Sequence, residues 1–219
     1  MNYSFLFDQD NNRIGAFVFV KTSRQIKATD PSDLNERMLK AAMAGNTAAV
    51  VELVAKGTDV NAKAKYSGWT PLILASKKGE IELVNYLLTY GADVNVESGV
   101  RGRTAIMEAA RNRNVETVKV LLTADPDLDA VDWEGYTVLM FAAVSGQRDI
   151  VDLLLTHEAD VNVKNKVGSS ALMMASGYPN VKKKLKEAGA EGNSSLAPRC
   201  FILTRKRVEM IIGTAEKVI

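Results

Sequence analysis

Residues 68–95 read GWTPLILASKKGEIELVNYLLTYGADVN. Thr70 stands where a helix N-cap belongs, with an oxygen that accepts an orphan backbone N–H. Pro71 takes the first helical position, where its missing N–H costs nothing. Gly79 marks a reversal that favours a left-handed backbone. Ile81, Val84, Leu87 and Leu88 then share one face of a second helix, a spacing unlike strand alternation. The stretch predicts turn, helix, short turn, helix, closed by Gly91-Ala92-Asp93-Val94-Asn95.

The phrase returns along the chain. Gly68, Gly102, Gly135 and Gly168 recur at spacings of 34, 33 and 33. Two residues later come Thr70, Thr104, Thr137 and Ser170, then Leu72, Ile106, Leu139 and Leu172, then Ala75, Ala109, Ala142 and Ala175. The closing phrase recurs as Asp59-Val60-Asn61, Asp93-Val94-Asn95, Asp127-Leu128-Asp129 and Asp160-Val161-Asn162. A fixed period of this size means a solenoid of stacked units, because one unit cannot bury its apolar face alone. Recurrence in phase also marks the four Asp residues as turn scaffold, a natural role for this side chain.

These motifs resemble the ankyrin repeat family over residues 34–191. The resemblance implies an all-α solenoid of about five helix-turn-helix units, at 34–64, 65–98, 99–131, 132–164 and 165–191. The family often carries His after the Thr-Pro-Leu phrase. Here Ile73, Met107, Met140 and Met173 stand there, so apolar packing replaces that hydrogen bond. This Thr-x-Leu-Met form is similar to that of many bacterial members. Arg113 replaces the reversal glycine in the third unit, and Asp125-Pro126 and Glu158-Ala159 replace the Gly-Ala pair. The fifth unit is shortened around Gly177-Tyr178-Pro179 and ends in Lys182-Lys183-Lys184, a polar face suited to a terminal cap.

The flanks differ. Within 1–33, Tyr3, Phe5 and Phe7 alternate and Ile14 to Val20 is rich in strand formers, which reads as a β-hairpin across Asp8 to Arg13. Asp8, Asp10 and Asn12 suggest a calcium loop, but Arg13 and Phe19 occupy the places that motif reserves for Gly and Glu. Residues 192–219 open on a Gly-Asn-Ser-Ser linker and carry 5 basic and 2 acidic residues with the apolar group Met210, Ile211 and Ile212. This tail covers an end of the array, pairs with the first flank, or stays disordered.

Composition excludes several functions. One histidine, His157, and one cysteine, Cys200, leave no two-histidine or multi-thiolate metal site and no internal disulfide. Met1 to Val20 carries Asp8 and Asp10 and no basic front, unlike a signal peptide, so a cytoplasmic location is expected. A net charge of +2 is small for a nucleic-acid binder. His157 ends a second helix, where a cation complements the dipole. No catalytic constellation stands out, and neither enzyme activity nor a cofactor is expected.

Binding is the better reading. The resemblance implies a concave ridge, built from turn tips and first helices, that contacts another protein. At its partner-facing positions stand Tyr66, Trp69, Lys77 and Lys78, then Arg101, Arg103 and Arg111, then Trp133 and Tyr136. Aromatic and Arg residues are enriched in protein interfaces. The cations predict an acidic patch on the partner where it meets units two and three. Two other functions stand beside this one: an inhibitor or immunity-like regulator of an enzyme, and a binder of an acidic ligand or nucleic acid.

Overall fold

A computed structural model of the chain describes residues 3–7, 13–18 and 31–191. Strands β1 (Tyr3–Phe7) and β2 (Arg13–Val18) pair antiparallel, with Tyr3 opposite Val18. The intervening loop with Asp8, Asp10 and Asn12, and the tail with Cys200, lie outside the described residues.

Ten α-helices follow among the described residues: α1 (Pro31–Ala44), α2 (Thr47–Ala55), α3 (Pro71–Lys78), α4 (Ile81–Thr89), α5 (Ala105–Arg111), α6 (Val115–Leu122), α7 (Val138–Val144), α8 (Arg148–Thr156), α9 (Ala171–Met174) and α10 (Pro179–Glu187). They pair as five units. The first helix starts at Pro31, ahead of the expected boundary at 34, because Pro is at ease at a helix start. Unit five has a first helix of only 4 residues, continued by a 3-10 turn at Ala175–Gly177.

Odd-numbered helices form one row and even-numbered helices a second row behind it. The first row meets through Ala75, Ala109, Ala110, Ala142 and Ala143, all buried. The second row meets through Leu83, Leu87, Val118, Leu121, Ile150 and Leu154, each fully buried. Small residues let the first-row helices approach one another closely.

Thr70 caps α3 by accepting the Ile73 N–H at 3.3 Å, and Thr137 caps α7 by accepting the Met140 N–H at 3.3 Å. The same expectation fails for Thr104 and Ser170. Their hydroxyls are buried and meet no hydrogen-bond partner among the described residues.

Two ladders of side chains hold the units in register. In the first, Asp59, Asp93, Asp127 and Asp160 each accept the N–H two residues on, which fixes the turn. The residue so held then accepts an N–H from the next unit: Asn61 from Asp93 at 2.8 Å, Asn95 from Asp127 at 2.9 Å and Asp129 from Asp160 at 2.9 Å. Asn162 ends the ladder on the Glu191 N–H at 2.9 Å. The second ladder runs between helix rows. Asn114 donates to the Ser76 and Lys77 carbonyls at 2.9 and 3.0 Å, and Gln147 donates to the Ala110 carbonyl at 2.8 Å. Both satisfy carbonyls at the end of the preceding unit's first helix, which lack an intrahelical donor.

The reversal positions carry the expected backbone. Gly79 has φ 83°, and Arg113 in the next unit has φ 63°. Asp125 and Glu158 likewise stand at φ 51° and 65°, where other units place glycine. A side chain in this region costs roughly 1 kcal/mol. Arg113 offsets it only with a long donation to the Ser145 carbonyl at 3.5 Å. Arg113→Gly is expected to leave stability unchanged or raise it by up to about 1 kcal/mol in a denaturant melt. A clear loss would show that the guanidinium packs or binds.

Candidate functional site

The turns ahead of α3, α5, α7 and α9 are fingers, each closed at its base by a backbone bond and folded over by a second from the finger glycine. The Ala64 N–H donates to the Trp69 carbonyl, Ser98 to Arg103, Asp132 to Tyr136 and Asn165 to Ser169, all at 2.9–3.0 Å. Adjacent fingers are bonded as well. The Gly99 N–H donates to the Ser67 carbonyl at 2.9 Å, Trp133 to Arg101 at 2.9 Å and Lys166 to Glu134 at 3.1 Å. The row of fingers is thus one continuous backbone ladder, which makes it a firm platform.

Of the expected binding residues, Tyr66, Lys78 and Trp133 face solvent. Tyr66 is 89% exposed and Trp133 56% exposed. The Trp133 ring lies against Gly102, where even a Cβ would come within 2.5 Å of its Cδ1 atom. Trp69 is half-buried, with the Lys77 ammonium 4.6 Å from its ring centroid. Arg101 reaches Glu134 of the next finger at 3.6 Å across a largely solvated gap. Val100, Arg101, Asp132, Trp133 and Glu134 together line a shallow depression between two fingers.

Three residues depart from the expected ridge. Arg103 is buried. Its Nε lies 3.3 Å from Asp132 Oδ2 and its Nη1 lies 3.3 Å from Glu108 Oε1, and the guanidinium stands 5.0 Å from the centroid of the Phe141 ring. The two carboxylates occupy space under the finger, and a guanidinium is the group whose fork meets both at once. Arg111 is pulled to the same cluster, 3.7 Å from Glu108 Oε2. Tyr136 stacks on Phe141 with centroids 5.4 Å apart instead of standing free. Burial, then the nearby Glu134 and Asp132 charges, raise its phenol above the ordinary tyrosine value.

Glu108 and Asp132 are functional parts of the scaffold that the sequence reading missed. One signal was there. Six residues after the finger glycine the units carry Leu74, Glu108, Phe141 and Met174, so a carboxylate stands in an apolar column. Asp132 also accepts the Glu134 and Tyr136 N–H groups at 2.9 and 3.0 Å, which leaves it fully used.

The other candidates bring no chemistry together. Asp59, Asp93, Asp127 and Asp160 are spread one per unit and engaged with backbone. His157 caps the end of α8. Among the described residues, no group of three metal-ligating side chains forms, and no helix is long and apolar enough to cross a membrane.

A family model described as ankyrin repeats (3 copies) matches residues 24–98 and 106–195, and one described as ankyrin repeats (many copies) matches residues 75–122. A comparison with curated proteins gave no match. The matched spans cover most of the chain and coincide with the five helix pairs, the fingers and the side-chain ladders, and on these grounds the chain belongs to the ankyrin repeat family.

Proposed function

We infer that this chain is a protein-binding module with no chemistry of its own, whose partner seats on the fingers and the adjoining first helices. Ankyrin repeats are generally protein-interaction modules and typically non-enzymatic. The observation that carries the reading here is Trp133, a large ring left 56% exposed on a finger that is backbone-bonded to both neighbours. An exposed aromatic held rigid loses little entropy on binding, and such residues dominate interface energetics.

Charge plays a smaller part than the sequence suggests. Arg101, Arg103 and Arg111 each have a carboxylate within 4 Å, so their field is largely cancelled locally. Lys77 and Lys78 at the end of α3 keep the expectation of acidic groups on the partner. The pairing disfavours a nucleic-acid ligand, which needs uncompensated cations against phosphate.

The test is affinity capture from source lysate, comparing the wild-type chain with a Tyr66→Ala/Trp133→Ala variant of unchanged circular dichroism. The variant is expected to lose the captured partner, with dissociation at least about tenfold faster for Trp133→Ala alone. Equal capture by both would exclude the finger surface.

A further inference from the structure

The net charge of +2 conceals a division along the chain. Residues 164–219 hold 11 basic and 4 acidic residues, whereas residues 1–163 hold 17 basic and 22 acidic. The sign changes abruptly at the last unit. Residues 120–163 carry one basic residue, Arg148, against nine acidic ones. A field of one sign gathered on one region attracts an opposite surface, whatever the total charge.

In unit five the positive charge stands at the surface. Helix α10 buries Val181 and Leu185 and leaves Lys182, Lys183 and Lys186 exposed. Lys164 and Lys166 are exposed on the last finger, and Val167 next to them is 66% exposed. Among the described residues Lys164, Lys166, Lys182 and Lys186 form no ion pair. Lys183 reaches Glu187 only at 3.8 Å, across solvent. Lys184 differs, since it meets Asp152 of α8 at 3.6 Å and ties the last two units together.

The tail leaves from this same unit, where the Glu191 N–H donates to Asn162 Oδ1 at 2.9 Å. Its sequence sets Arg205-Lys206-Arg207 between two apolar groups, Phe201-Ile202-Leu203 and Met210-Ile211-Ile212. Arg205 stands 14 residues after Glu191. That length keeps the triplet within about 50 Å of unit five, so binding by one set of cations raises the effective concentration of the other.

The residue types select the anion. The cations of residues 164–191 are all lysine, a hydrated point charge that protein interfaces deplete while they enrich arginine. Phosphate contacts to nucleic acid gain nothing from aliphatic groups, and single strands are held by stacking rings, which the last finger lacks. A bilayer interface uses both features. Cations gather at anionic headgroups and apolar side chains enter the acyl boundary, and the two signals together hold a protein that either alone binds weakly.

We propose that residues 164–219 form a docking surface for an anionic lipid bilayer. The unit-five lysines and Arg205-Lys206-Arg207 meet the headgroups, and the apolar groups beside that triplet enter the interface. The acidic charge of residues 120–163 keeps the preceding units off the membrane, which leaves the fingers of units two to four open to a protein.

The test is co-sedimentation of the full chain with vesicles of phosphatidylcholine, alone or with about 30% phosphatidylserine. Binding to the anionic vesicles is expected to be at least about tenfold tighter, and to weaken as salt rises from about 0.1 to about 0.5 M. Each cation near the surface is worth about fivefold in partitioning, so Lys182→Gln/Lys183→Gln/Lys186→Gln should weaken binding at least about tenfold. Arg205→Gln/Lys206→Gln/Arg207→Gln should do the same. Ile211→Ser/Ile212→Ser, which changes no charge, should also weaken it at least about tenfold. All three variants should keep the wild-type circular dichroism and urea midpoint. Equal binding to both vesicles, no binding to either, or wild-type binding by the α10 variant would each overturn the proposal. If Ile211→Ser/Ile212→Ser had no effect and a DNA duplex displaced the chain from the vesicles, the surface would belong to nucleic acid and the lipid assignment would fall.

Discussion

Arg103→Ala is expected to destabilise the array by about 3–5 kcal/mol, the usual consequence of leaving a buried charge without its partner. The side chains of Arg103, Glu108 and Asp132 are 8%, 4% and 2% exposed, so the variant leaves two carboxylates in a site built to be dry without their counter-charge. Arg111 lies 3.7 Å from Glu108, and Asp132 keeps its two backbone N–H groups. The cluster joins unit three, which supplies Arg103 and Glu108, to unit four, which supplies Asp132 and Phe141. Its loss therefore weakens the seam between units as well as one finger. Arg101→Ala is the internal control. Arg101 sits two residues away, and its partner Glu134 is more than half exposed, at 3.6 Å. That solvated pair is worth less than about 1 kcal/mol. Urea melts of both variants decide the matter. A loss below about 1 kcal/mol for Arg103→Ala would show that the network contributes no more than a surface pair. Added salt should reduce the small Arg101 effect and leave the Arg103 effect in place, since buried charges are screened far less.

Leu121→Ala should cost about 2–5 kcal/mol, the range for truncating a fully buried leucine. Leu121 is 0% exposed in α6, the middle helix of the second row, packed between α4 and α8. Solenoid stability is a sum of unit terms and nearest-neighbour interfaces. A cavity in α6 weakens unit three and both of its interfaces, so the whole transition should shift to lower denaturant. Leu185→Ala removes an equally buried side chain from α10, in the last unit. An end unit opens alone, so that variant should broaden the transition, with early loss of amide protection confined to unit five. If the two variants melted alike, the array would be behaving as one cooperative block.

The sequence by itself determined the units, their order and their core. Period and hydrophobic spacing are local properties, and a position such as Leu72 or Ala109 has the same neighbours in every unit, so reading one unit reads all. The strained reversals at Arg113, Asp125 and Glu158 were legible for the same reason, as departures from glycine at a fixed place in the period. The finger residues Tyr66 and Trp133 were legible as exposed positions because each follows from its offset to a glycine. Tertiary structure alone decided the charges. Arg101 and Arg103 flank Gly102 and look alike in the chain, yet one stays at the surface and the other is drawn under the finger. The difference comes from Glu108, five residues on, and Asp132, twenty-nine residues on, whose buried carboxylates exist as a site only once units three and four have stacked. Tyr136 was decided within its own unit, by Phe141 five residues on, which gives its ring a partner. An ion pair or a ring stack depends on which side chains meet in space, and a period gives the position of a side chain without saying what waits opposite.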